Sequence, residues 1–131
     1  MFSIRNVGGV SLFLFGTTFL SLTPFYAASG IDTSGAAWAT AGVLASAVIV
    51  GFTVATWGLF RRAAWWEQLA TVSAIVGLVT LGPYWVAADA SGVANPAFDA
   101  AIHAVGSVGV LLLLHVPKLE HWVRGHVVAG R

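Results

Sequence analysis

The stretch Ser21-Leu-Thr-Pro-Phe-Tyr-Ala-Ala-Ser-Gly30 has a counterpart in Thr80-Leu-Gly-Pro-Tyr-Trp-Val-Ala-Ala-Asp-Ala-Ser-Gly92. Each closes an apolar run with Leu, a small residue, Pro and two aromatics, and each then reaches Ser-Gly. A chain that writes this phrase twice is built from two copies of one unit, and repeats decide architecture before local detail does. Leu22-Thr23-Pro24-Phe25-Tyr26 aligns with Leu81-Gly82-Pro83-Tyr84-Trp85, and Ala36-Ala37-Trp38 with Pro96-Ala97-Phe98. The unit is therefore a helical hairpin of about 60 residues by its repeat period.

Around these phrases lie four apolar segments, Val7–Ala28, Ala36–Phe60, Leu69–Ala88 and Ala97–Val116. Each approaches the ~20 residues that carry a helix across ~30 Å of hydrocarbon. They are long and continuous, unlike the short alternating strands of a membrane barrel. Of the 131 residues, 58% are hydrophobic and 8% charged, against the roughly 25% charged residues of an ordinary soluble domain. The surface is thus expected to face lipid. The fold class expected is all-α: an integral membrane four-helix bundle of two tandem transmembrane hairpins, residues 6–60 and 65–117, forming a single domain over 1–131. Residues 118–131 read as a cytoplasmic tail.

Charge gives the orientation. With four crossings, Arg5, Arg61, Arg62, Lys118, Arg124 and Arg131 fall on one side, while Asp32 and Asp89 fall on the other, with Asp99 just inside the last helix. By the positive-inside rule both termini are cytoplasmic, in the plasma membrane. Trp57, Trp65, Trp66 and Trp122 are expected in an inner aromatic belt, and Tyr26, Trp38, Tyr84 and Trp85 in an outer one. Caps are expected from Asp32, Thr33 or Ser34 and from Asn95-Pro96, with helix ends at Ser29-Gly30 and Ser91-Gly92. The first segment imitates a signal peptide, but its length and its repeat counterpart argue against cleavage.

A hairpin whose first helix carries a small-Pro-aromatic motif resembles the SPW repeat family of small bacterial and archaeal membrane proteins. The motif residues are Thr23, Pro24 and Phe25 in the first copy and Gly82, Pro83 and Tyr84 in the second, with Trp85 one residue late. The resemblance covers residues 6–117 and implies a fold, but no activity and no catalytic residues. Within a helix each proline frees the carbonyl four residues back, Leu20 and Val79. Water or the Thr23 hydroxyl is expected to satisfy it, and two freed carbonyls could otherwise line a small-solute site.

Asp99, His103 and Ser107 stand four residues apart and share one helix face, a candidate polar site within the membrane. His103 is expected to donate to the Asp99 side chain, a local pair contributing about 1 kcal/mol. The remaining histidines lack zinc-type spacing, so no metal is expected. A haem held by His103 and His115 is disfavoured, because the two sit about 120° apart around a helix. Small residues at Gly8 and Gly16, at Ala47, Gly51 and Ala55, at Ser73 and Gly77, and at Ala97, Ala101 and Gly109 read as helix contacts. Arg61-Arg62 with Trp65-Trp66 reads as a topology signal or a contact for anionic lipid heads.

No nucleophile–base, two-carboxylate or cofactor constellation is present. A non-enzymatic structural or accessory protein without cofactors is expected, a homo-oligomer or a subunit among other membrane chains. The alternative is a small oligomeric channel or transporter for protons or a small solute. The absence of a basic stripe excludes nucleic acid as a partner.

Overall fold

A computed structural model describes residues 3–129; the predicted basic residue Arg131 lies outside them. Among the described residues the chain is helical, with turns between the helices and no strand. The elements are α1 (Ile4–Thr18), a 3₁₀ turn (Phe19–Leu22), α2 (Pro24–Ala28), α3 (Ala36–Phe60), α4 (Trp66–Ala90), α5 (Pro96–His115), α6 (Pro117–Trp122) and a π-helical turn (Val123–Val128). Three helices, α3, α4 and α5, are long and apolar enough to cross a membrane.

The first apolar segment differs from expectation. It is not one helix but three pieces, because Thr23 leaves helical geometry (φ −143°, ψ −59°) and Pro24 opens a new helix at its first position. Proline is tolerated there, since the missing N–H would have no partner. Pro83, by contrast, lies inside the continuous α4. The two copies of the motif thus share a sequence but not a backbone. Thr23 Oγ1 is buried without a hydrogen-bond partner, so it does not serve the Leu20 carbonyl as expected.

Beyond the prolines the copies converge again. Gly30 (φ +84°) and Gly92 (φ +68°) take left-handed backbone. Ile31 N–H reaches the Tyr26 carbonyl at 3.1 Å and Val93 N–H reaches that of Ala88 at 3.0 Å. Both are Schellman endings, and glycine adopts their backbone without Cβ strain. α3 ends in the same way at Arg62 (φ +56°), with Ala63 N–H bonded to the Gly58 carbonyl at 2.9 Å. An arginine there carries a left-handed cost of about 1 kcal/mol, so Arg62→Gly is expected to stabilise the protein by about that amount. Thermal unfolding in mild detergent measures it. Asn95 caps α5 by accepting from Phe98 N–H. α3 begins without a side-chain cap at Gly35. Asp32 instead ties the loop, accepting from the Ser34 amide and hydroxyl, which together hold its carboxyl below the usual carboxylate range.

Packing runs in chain order: α1 lies on α3, α3 on α4, and α4 on α5. Small residues permit the approach. A Cβ at Gly16 would lie 2.7 Å from Phe52 Cβ. One at Gly77 would lie 2.9 Å from Phe19 Cζ and 3.0 Å from Ser107 Oγ. Gly51 faces Ser73 in the same manner. On α5 the expected stripe is wrong, since Ala97 and Ala101 are exposed and Gly109 meets open space. Phe15 comes across to Gly106 instead. Residues 117–128 fold back, with Val123 and Val127 buried and Val127 against Gly8. Arg124 pairs with Glu67 at 3.1 Å and with Glu120 at 2.9 Å.

Candidate buried polar site

The expected outer aromatic belt is largely turned inward. Tyr26, Trp38 and Tyr84 are 8%, 2% and 0% exposed, whereas Trp85 stays on the surface. At the other end Trp57, Trp65 and Trp122 are exposed but Trp66 is buried. A tyrosine or tryptophan enters a core when its polar tip finds a partner there, and Tyr26, Trp38 and Tyr84 each find one.

The partner of the tyrosines is Asp99. Tyr26, on α2, and Tyr84, on α4, both donate to Asp99 Oδ2, the latter at 3.2 Å. Their hydroxyl oxygens are also 2.9 Å from each other. Three oxygens from three helices thus form a triangle. The two hydroxyls supply one proton each and an ionised carboxylate supplies none. The third edge of the triangle gains a proton when the carboxyl is protonated. Trp38, on α3, packs beside both tyrosine rings, with centroids 5.5 and 6.1 Å away. Its Nε1 donates to Ser91 Oγ at 2.8 Å, fastening α3 to the end of α4.

His103 lies one turn further along α5 and is 2% exposed. It does not bond the Asp99 side chain, contrary to the sequence expectation. Its Nδ1 is 2.6 Å from the Asp99 backbone carbonyl oxygen and its Nε2 is 3.1 Å from that of Thr18. The i−4 carbonyl on its own helix captures one ring nitrogen. The break that ends α1 presents the Thr18 carbonyl to the other. Phe19 closes over the ring edge-on at 4.7 Å. Two carbonyl acceptors match the two N–H donors of an imidazolium; a neutral ring serves only one of them.

Of the residues singled out from sequence, Asp99, His103 and Ser107 do share the inner side of α5. Ser107 is fully buried, however, and its Oγ has no hydrogen-bond partner, so it stands outside the network. Tyr84 belongs to the site, while Thr23, Pro24, Phe25, Gly82, Pro83 and Trp85 do not contribute a polar contact to it. Sequence reasoning missed Tyr26, Trp38 and the Thr18 carbonyl as members. The available signal was position: each tyrosine closely follows a proline at the end of an apolar run, the end at which α5 begins.

The other histidines are dispersed. His115 Nε2 is 3.0 Å from Thr71 Oγ1, and His126 stacks on Trp122 at 5.2 Å. Among the described residues no group of three His, Asp or Glu side chains converges. No protein family, curated protein or solved structure matches the chain.

Proposed function

We propose that the chain is an SPW-like, four-crossing integral membrane protein of two tandem hairpins, with a non-enzymatic structural or accessory role. It works beside copies of itself or other membrane subunits, in the plasma membrane with both termini cytoplasmic. The observation that carries this reading is that the polar groups of one end are bonded to one another. Tyr26, Tyr84 and Asp99 close on themselves, His103 bonds two carbonyls, and Trp38 bonds Ser91. Buried groups arranged in this way tie elements together, while the buried Thr23 and Ser107 hydroxyls stand outside the network.

The fourth crossing is the interrupted first segment. Stacked end to end, α1, the 3₁₀ turn and α2 reach about 38 Å at 1.5 and 2.0 Å per residue. That exceeds the ~30 Å of hydrocarbon. Single-cysteine labelling tests the topology, because the native chain has no cysteine. Ser34→Cys is expected to react with an impermeant thiol reagent only from outside intact cells. Reaction only from the cytoplasmic face overturns the four-crossing reading.

A second reading, proton or small-solute conduction in an oligomer, is favoured by one observation: a carboxyl, two phenol hydroxyls and an imidazole lie together inside the bundle, Asp99 accepting from both tyrosines and His103 one turn further along the same helix. Proteoliposomes decide between the readings. The structural role predicts no proton flux above that of empty vesicles. A flux lost in Asp99→Asn without loss of folding replaces the structural role with conduction.

A further inference from the structure

α1 and α5 are the ends of the packing chain, and they meet near one end of the bundle. There Phe15 lies against Gly106 and His103 reaches Thr18. Below that contact the two helices part around a groove of about 460 Å³, within the ~300–1,000 Å³ usual for small-molecule sites. Leu59, Trp66 and Ala70 line it, Val123 and Val127 bound it, and Ser11 is the only hydroxyl residue on its wall.

The groove's length identifies its occupant. On α1 it runs from Ile4 to Phe15, about 16 Å at 1.5 Å per residue. Half of a ~30 Å hydrocarbon layer is about 15 Å. The groove therefore matches the depth of one leaflet, and Phe15 closes it near the bilayer middle. A partner helix, ~10–12 Å across with its side chains, would need a trough running the full thickness. A single extended acyl chain does not.

Charge at the open end completes the assignment. Arg124 takes up both Glu67 and Glu120. Arg5, Arg61, Arg62 and Lys118 form no ion pair among the described residues. Arg5 directly follows the groove residue Ile4, and its Nε is buried without a hydrogen-bond partner. Trp122, an interfacial type of residue, lines the same end.

We propose that this groove holds one acyl chain of an anionic phospholipid of the cytoplasmic leaflet, with the lipid phosphate beside Arg5. The inference rests on the four-crossing topology proposed above. Gly109 supplies the test, because it lines the groove and a Cβ there would meet no atom within 4 Å. Gly82 is equally open but lies on the surface of α4, so Gly82→Leu is the control.

The wild type, Gly109→Leu, Gly82→Leu and Arg5→Gln are reconstituted in equal parts of phosphatidylglycerol and phosphatidylcholine. Each is then extracted in mild detergent, and its retained lipid is counted by native mass spectrometry. The wild type and Gly82→Leu are expected to keep about one phosphatidylglycerol per chain, and Gly109→Leu to lose retention about tenfold or more. Arg5→Gln is expected to keep a lipid but to lose about fivefold of the preference for the anionic head. Retention unchanged in Gly109→Leu, or no lipid on the wild type, overturns the proposal. A wild-type dimer that Gly109→Leu dissociates also overturns it, giving the groove to a second copy. An unchanged preference in Arg5→Gln overturns the place of the phosphate. Failure of the chain to sediment with membranes strikes instead at the four-crossing reading, which separates the two.

Discussion

His103→Ala lowers stability by about 3–4 kcal/mol, well beyond the ~1 kcal/mol of a local pair. The ring's contacts with the Asp99 and Thr18 carbonyls go, at about 0.5–1.5 kcal/mol for each N–H that donates. Truncating a buried ring also leaves a cavity under Phe19, and large-to-small changes of this kind cost about 2–5 kcal/mol in well-packed sites. The bond to Thr18 matters most, since it crosses between the first segment and the last long helix. His103→Gln keeps one amide donor and much of the volume, so it recovers about half of the loss. Unfolding in mild detergent, followed by circular dichroism, ranks the three proteins. Equal melting of wild type and His103→Ala would show that the ring does not join these elements.

Gly77→Leu has an effect of similar size for the opposite reason. Gly77 sits where α4 receives both Phe19 and Ser107, with hypothetical Cβ distances of 2.9 and 3.0 Å. The Phe19 ring is fully buried and has nowhere to retreat. A leucine must push either the 3₁₀ turn or α5 off α4, and overpacking of this kind costs about 1–3 kcal/mol or more. Gly82→Leu, one and a half turns away on the open surface of the same helix, stays within about 0.5 kcal/mol of wild type. The same unfolding assay compares the pair, and similar losses in both would mean that helix propensity, not contact, governs these glycines.

The long helices were legible because their signals are local. Hydropathy gives α3, α4 and α5, Asn95-Pro96 gives the start of α5, and Ser-Gly gives two ends. The break at Thr23 was not legible. Pro24 and Pro83 present the same local chemistry, and only the neighbours differ. α4 packs between α3 and α5, which hold it straight through its proline. The first segment touches chiefly α3, so its chain is free to start again. The inward turn of Tyr26, Trp38 and Tyr84 was hidden for a related reason. An aromatic at the end of an apolar run is an interface residue unless something inside accepts its proton or its N–H, and the acceptors, Asp99 and Ser91, lie on other parts of the chain.

The bond from His103 to the Thr18 carbonyl spans 85 positions of sequence, and this has a consequence for how the protein is made. At about 5–20 residues per second, a ribosome finishes His103 some 4–17 s after Thr18. Throughout that interval the break in the first segment has no tether to α5. Tyr26 likewise waits for Asp99. The first segment and α3 therefore cannot lock this end of the molecule on their own, and its final shape is set only once α5 has been made.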